Sequence, residues 1–102
     1  MRLHVDKDKL GNNNIKVFFN RLGYHQFYDN KTNQVSYIRR LSGLDYPRFH
    51  VYIKEKDKGV QFNLHFDEKK PSYEGSHAHS GEYEGPLVQA ELERIRNYME
   101  SL

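Results

Sequence analysis

Two neighbouring segments with alternating hydrophobicity constrain the fold more than any other feature of this sequence. The apolar positions of the two segments are Phe49, Val51 and Ile53, then Val60, Phe62, Leu64 and Phe66. A period of two with one apolar face is typical of antiparallel strands that are covered on one side. The polar turn between the segments predicts a hairpin. Its second face carries polar side chains, namely His50, Tyr52, Asn63, His65 and Asp67.

Further strands and two helices are predicted around this hairpin. A short strand is expected at residues 2–5, and two more at 24–29 and 34–41, joined by a four-residue loop. The first helix is expected to begin at Asn13 or Asn14 and to end before Gly23, since these residues suit the two ends of a helix. Pro86 suits the first position of a second helix, which has an apolar stripe from Val88 to Leu102.

The predicted order is roughly (β)αββββα, which indicates a single α+β domain over residues 1–102. The simplest architecture is one antiparallel sheet of four or five strands with two helices packed on one face. An aromatic content of 14% argues against disorder. The opposite face is expected to be polar and open unless residues 71–85 or a second copy of the chain covers it. A homodimer is therefore one hypothesis.

Composition and charge limit the classes of function. The absence of cysteine excludes disulfides and thiolate metal sites. The sequence shows no apolar run long enough to cross a bilayer and no apolar leader after Met1, so we expect a cytoplasmic protein without membrane contact. Residues 1–58 have a charge balance of +6 and residues 59–102 one of −4. The first part would attract phosphate or nucleic acid, and the second a cation.

A long loop rich in Ser, Gly, His and Glu is predicted at 71–85, and long loops within compact domains are usually functional or disordered. Combined with the end of the preceding strand, it suggests a metal site whose ligands would be His65, Asp67, His77, His79 and Glu82. Two residues apart on a strand face are separated by about 7 Å, close enough to share an ion. Imidazole with carboxylate suits a transition metal such as Zn or Mn. The competing interpretation is a set of solvated histidines, because the spacing matches no specific metal motif.

The sequence therefore suggests a small ligand- or metal-binding domain with its site on the polar sheet face and the 71–85 loop. Five further residues are candidate ligand-binding positions: His50, Tyr52, Asn63, Tyr73 and Tyr83. The sharper form of this hypothesis is a metal-dependent hydrolase or nuclease that acts on a phosphoester through a metal-activated water. No residue pattern identifies a catalytic group, so the question of enzyme activity stays open at this point.

The alternative hypothesis is a non-enzymatic module that binds nucleic acid or protein. Arg39, Arg40 and Arg48 are interleaved with tyrosines, a combination that can hold single strands through phosphate contacts and base stacking. The competing interpretation of these residues is a solvated sheet edge whose cations oppose aggregation.

Overall fold

The structure, a computed structural model, describes residues 1–11, 13–30, 32–68, 81–82 and 85–102, with only the backbone described at 81–82. These residues form one antiparallel sheet and two helices, which confirms the α+β class. The elements in chain order are β1 (Arg2–Asp6), a 3-10 helix (Lys7–Leu10), α1 (Ile15–Arg21), β2 (His25–Asp29), β3 (Gln34–Arg40), β4 (Arg48–Glu55), β5 (Gly59–Asp67), β6 (Gly81–Glu82) and α2 (Pro86–Glu100). No described helix has the length and apolar character needed to span a membrane.

The predicted hairpin lies at the centre of the sheet as β4 and β5. The lateral order is β1-β5-β4-β3-β2, and β6 also pairs with β5. The turn between β4 and β5 closes through a hydrogen bond from the Lys56 amide to the Gly59 carbonyl, 2.9 Å long. A Cβ at Gly59 would lie 2.9 Å from the Val5 carbonyl oxygen, so glycine lets β1 pass close to the turn.

The helix ends follow the capping residues in the sequence. Asn14 caps the start of α1, since its side-chain oxygen accepts a 2.8 Å hydrogen bond from the Val17 amide. Gly23 follows α1 with a φ of 96°, a conformation that glycine adopts readily. Pro86 occupies the first turn of α2, where its missing N–H costs nothing.

One hydrophobic cluster unites both helices with the apolar residues of the central strands. Phe18 and Phe19 of α1 and Val88, Leu92 and Ile95 of α2 belong to it. The sheet contributes residues at alternate positions of β4 and β5, among them Val51, Phe62 and Leu64. Aromatic rings fill much of this core, where Phe18, Phe19 and Phe62 pack against one another.

Two segments outside the predicted strands and helices have regular structure. Residues 7–10 form a 3-10 helix that places Leu10 in the core. Gly81 and Glu82, inside the predicted 71–85 loop, pair with the end of β5. That edge is open to pairing because β1 covers only Gly59–Asn63 of β5. Residues 71–80, 83 and 84 lie outside the described part of the chain.

The centre of the polar face of the sheet is buried, whereas the sequence predicts an open face unless residues 71–85 or a second copy of the chain covers it. Ser36 is 3% exposed, His50 5% and His65 7%, although all three lie on the face opposite the hydrophobic cluster. Three polar side chains at this depth require hydrogen-bond partners, since an unpaired buried polar group is costly. The candidate site is the network that supplies these partners.

Candidate metal centre

The register of β4 and β5 brings two histidines and an aspartate together. His50 and His65 are direct partners across the hairpin, and Asp67 lies opposite Arg48. Since alternate residues of a strand share a face, all four side chains lie on the polar face. The hairpin is the most extensively paired part of the sheet, so it holds these positions in a defined arrangement.

Asp67 joins the two imidazoles. Its Oδ2 lies 3.2 Å from His50 Nδ1, and its Oδ1 lies 3.2 Å from His65 Nε2. One potential ligand atom from each of these three residues lies within 4.8 Å of the other two. The cluster therefore brings two imidazole nitrogens and a carboxylate oxygen close together, a donor set used by Zn and other transition metals.

Aromatic side chains enclose the imidazoles. The His50 ring stacks on Tyr52 with 4.4 Å between ring centroids, and Phe27 approaches His50 edge-on at 6.1 Å. The ring of Tyr52 also contacts His65 at 5.1 Å. Apolar surroundings of this kind limit water and strengthen the electrostatic interactions within the cluster.

Burial and hydrogen bonding determine the charge of the cluster. Burial lowers the pKa of His50, and the nearby Asp67 only partly opposes this effect, so the neutral imidazole is favoured at pH 7. Burial alone would raise the pKa of the Asp67 carboxyl. Hydrogen bonds from His50, His65 and Arg48 outweigh burial and hold that pKa well below its usual range. An ionised carboxylate beside a neutral imidazole is the protonation state that ligation of a metal requires.

The ionised carboxylate also determines the tautomer of His50. A carboxylate can only accept hydrogen bonds, so the Nδ1–H of His50 donates to Asp67 Oδ2. Nε2 is then an acceptor and receives the hydroxyl proton of Ser36, whose Oγ lies 2.7 Å away. Ser36, His50 and Asp67 thus form a continuous chain of hydrogen bonds.

This chain has the order of a serine hydrolase triad, but Ser36 is poorly placed to act as a nucleophile. Ser36 is 3% exposed and lies within β3, which pairs with β2 on one edge and with β4 on the other. At this exposure a substrate carbonyl has little access to Oγ. We therefore interpret the hydrogen bond from Ser36 as a contact that orients the His50 imidazole.

The three arginines proposed for nucleic acid each contact a carboxylate. Arg48 donates to Asp67 Oδ2 at 3.2 Å, and its guanidinium lies 4.3 Å from the centroid of the Tyr46 ring. Arg40 pairs with Asp45 at 3.1 Å. Arg39 lies 3.5 Å from Glu91 of α2, which places it on the helix side of the sheet. The guanidinium groups do not form one stripe on a single face.

The other predicted site residues fall into four groups. His65 and Asp67 belong to the cluster, and His50, predicted only as a ligand-binding residue, supplies a third donor. Tyr52 and Asn63 line a cavity of about 470 Å³ beside the cluster, together with Gln34, Lys54 and Gln61. Glu82 is described only through its backbone, which pairs with Phe66. Four predicted residues lie outside the described part of the chain: Tyr73, His77, His79 and Tyr83.

Sequence reasoning missed the pairing of His50 with His65 and the participation of Ser36. The first could have been found by assuming that the hairpin closes at Glu55 and Val60, which puts His50 opposite His65. Ser36 carries no comparable signal, because its position beside His50 depends on the register between β3 and β4.

A separate cavity of about 580 Å³ lies on the helix side of the sheet. Its lining is mainly apolar, with Leu10, Ile15, Val35, Tyr37 and Ile53 among its residues. No residue of the His50, His65 and Asp67 cluster lines it. The cavity and the candidate metal centre are therefore distinct features.

Comparison of the chain with protein-family models, with curated proteins and with solved structures finds no match.

Proposed function

We propose that this protein binds a divalent transition metal ion such as Zn or Mn through His50, His65 and Asp67. The convergence of their donor atoms, all within 4.8 Å of one another, carries the proposal. Neutral imidazole and ionised carboxylate, the forms favoured at pH 7 for His50 and Asp67, are the ligating forms.

Two contacts within the cluster are close to the donor separation of an occupied site. Tetrahedral zinc with ligands at about 2.1 Å has donors about 3.4 Å apart. Both contacts between Asp67 and an imidazole measure 3.2 Å. These two contacts involve different carboxylate oxygens, so an ion held by both imidazoles and one oxygen of Asp67 requires donor separations of up to 4.8 Å to shorten by up to about 1.4 Å. Arg48 opposes binding by its charge but also donates to Asp67 Oδ2, a contact that orients the ligating carboxylate.

Three protein ligands leave one position of a tetrahedral ion for water, which is the arrangement of hydrolytic zinc sites. A metal-dependent phosphoester hydrolase or nuclease is thus the enzymatic form of the proposal. None of the three ligands lines the 470 Å³ cavity at Tyr52 and Asn63, and its link to the centre is Tyr52, whose ring contacts both imidazoles.

Metal titration of chelator-treated, untagged protein tests the proposal. We expect calorimetry to show one Zn or Mn ion per chain for the parent. His50→Ala and His65→Ala should each weaken binding at least about 100-fold, because loss of a ligand exceeds the 10- to 100-fold effect of an outer partner. His25→Ala is the matched control, since His25 is an exposed histidine of β2 and should leave affinity unchanged.

Two further measurements refine this result. A His77→Ala/His79→Ala double variant shows whether the predicted loop histidines also take part. Metal-loaded parent should hydrolyse bis(4-nitrophenyl) phosphate, and His65→Ala should not. A folded parent that binds neither Zn nor Mn would refute the metal site and leave the cluster as a structural hydrogen-bond network.

A further inference from the structure

Ser36 makes a 2.7 Å contact with the imidazole nitrogen of His50 that faces away from Asp67. We infer that Ser36 is the positioning residue of the metal centre, holding His50 with Nδ1 directed at Asp67 and the ion. This inference rests on the proposed metal binding. It adds a residue from β3 to a site whose ligands all come from β4 and β5.

The hydroxyl of Ser36 can serve both the metal-free and the metal-bound state. Without metal, Nδ1–H of His50 donates to Asp67 and the Ser36 hydroxyl donates to Nε2. An ion at Nδ1 requires the lone pair of that nitrogen, so the proton of the neutral ring must be on Nε2. Nε2–H then donates to Ser36 Oγ. A hydroxyl is both donor and acceptor and therefore matches either tautomer.

Burial makes this contact important. Ser36 pairs with Phe27 on one side and with Tyr52 on the other, and both aromatic rings also contact His50. With Ser36 at 3% exposure, water has little access to Nε2. An apolar residue at position 36 would leave a buried imidazole N–H unsatisfied in the metal-bound state. The same change leaves the Nε2 lone pair without its donor in the metal-free state, but that loss is smaller because the N–H of a metal-bound imidazole is the more strongly polarised group, so the difference appears as weaker metal affinity.

Ser36→Thr and Ser36→Val provide the test, because threonine and valine have nearly the same shape and differ by a hydroxyl. We expect Ser36→Thr to bind Zn with affinity close to that of the parent. Ser36→Val should bind about 10- to 100-fold more weakly, the usual effect of removing an outer hydrogen-bond partner. Ser36→Ala repeats the deletion without added volume in case the larger side chains prevent folding, and thermal unfolding of each metal-free variant verifies the fold.

Nitrogen-15 NMR gives a second measurement, namely which imidazole nitrogen of His50 carries the proton. A purely structural role of Ser36 predicts no change in this tautomer when zinc binds. His50 should carry its proton on Nδ1 in the metal-free parent and on Nε2 in the zinc-loaded parent. Equal zinc affinity of the Thr, Val and Ala variants, with the parent binding zinc, would overturn the role of Ser36 and leave the metal site intact. Failure of the parent itself to bind would instead refute the proposed function and this inference with it.

Discussion

At the scale of single residues, the described chain contains buried titratable side chains on both faces of the sheet. His50 and His65 lie in the histidine cluster, and Tyr24 lies on the helix side with 1% exposure. The Tyr24 hydroxyl donates to Glu91 Oε2 at 2.6 Å. Burial raises the pKa of Tyr24 well above its ordinary value of about 10, and the negative charge of Glu91 raises it further. Tyr24 therefore stays protonated while the protein is folded.

This shift predicts a loss of stability in alkaline solution. Above about pH 10 the unfolded chain releases the Tyr24 proton and the folded chain keeps it, so the unfolded state is favoured. The stabilising contribution is complete below about pH 10 and falls by about 1.4 kcal/mol per pH unit above it. Urea unfolding from pH 8 to 11 measures the free energy of unfolding of the parent and of Tyr24→Phe. We expect the difference between the two values to become smaller above about pH 10. Tyr28→Phe, at an exposed ring of β2, should retain the slope of the parent.

At the scale of elements, Glu91 connects α2 to the rest of the molecule. This carboxylate is 4% exposed and accepts hydrogen bonds from Tyr24 at 2.6 Å and from Arg94 at 2.8 and 2.9 Å. Arg94 also donates to the Leu22 carbonyl at 2.7 Å, and Arg39 of β3 lies 3.5 Å from Glu91. The polar network thus links one helix to the connection between α1 and β2 and to the third strand.

Removal of this carboxylate should weaken the docking of α2. Glu91→Ala leaves the buried Tyr24 hydroxyl without its acceptor, and we expect a loss of about 2–3 kcal/mol in the free energy of unfolding. The exposed ends of Arg39 and Arg94 can regain water, which keeps the loss below that of a fully buried pair. Glu93→Ala on the same helix removes an exposed pair with Arg96 and should cost less than about 0.5 kcal/mol. Equal losses in the free energy of unfolding of Glu91→Ala and Glu93→Ala would contradict the role of the Glu91 network in docking α2.

At the scale of the whole molecule, two different environments lie on opposite faces of the β4–β5 hairpin. One face of the hairpin contributes Val51, Phe62 and Leu64 to the hydrophobic cluster, and the other contributes His50, His65 and Asp67 to the candidate metal centre. Unfolding of the domain separates the three ligands and exposes the hydrophobic cluster at the same time. An ion bound at the centre therefore stabilises the entire folded domain.

Thermal unfolding should report this coupling. Zinc at 100 times its dissociation constant adds about 2.7 kcal/mol to a protein that binds it only when folded. For a domain of this length we expect the Tm of the parent to rise on the order of 10 °C. The Tm of His65→Ala should stay constant as zinc is added, whereas the Tm of His25→Ala should rise as much as that of the parent. A rise of similar size in His65→Ala would place the zinc elsewhere on the chain.

Much of the architecture was predictable because it depends on local chemistry. Alternation in β4 and β5 identified their apolar and polar faces, and Asn14, Gly23 and Pro86 marked helix ends. In β3 the alternation was ambiguous, and the structure buries Ser36, Tyr37 and Ile38 in succession because both faces of this strand are covered. The 3-10 helix at residues 7–10 was missed, since Leu10 reaches the core only through long-range packing.

Of the candidate site, His65 and Asp67 were predicted as a pair of ligands because two residues apart on one strand share a face. The sequence did not predict His50 as a third ligand, because its position beside these two residues depends on the register between β4 and β5. The participation of Ser36 requires in addition that β3 lie beside β4. The hypotheses for His77 and His79 remain predictions, which the double variant tests.

The sequence by itself determined which residues of each regular segment share a face, since a period of two or of 3.6 is a local property of the backbone. It also determined where the two helices begin and where the first one ends, because caps act on adjacent peptide groups. Only the tertiary structure decided which faces meet and in what register. It placed His50 opposite His65 and Ser36 against His50, since these contacts depend on how distant segments pair and pack.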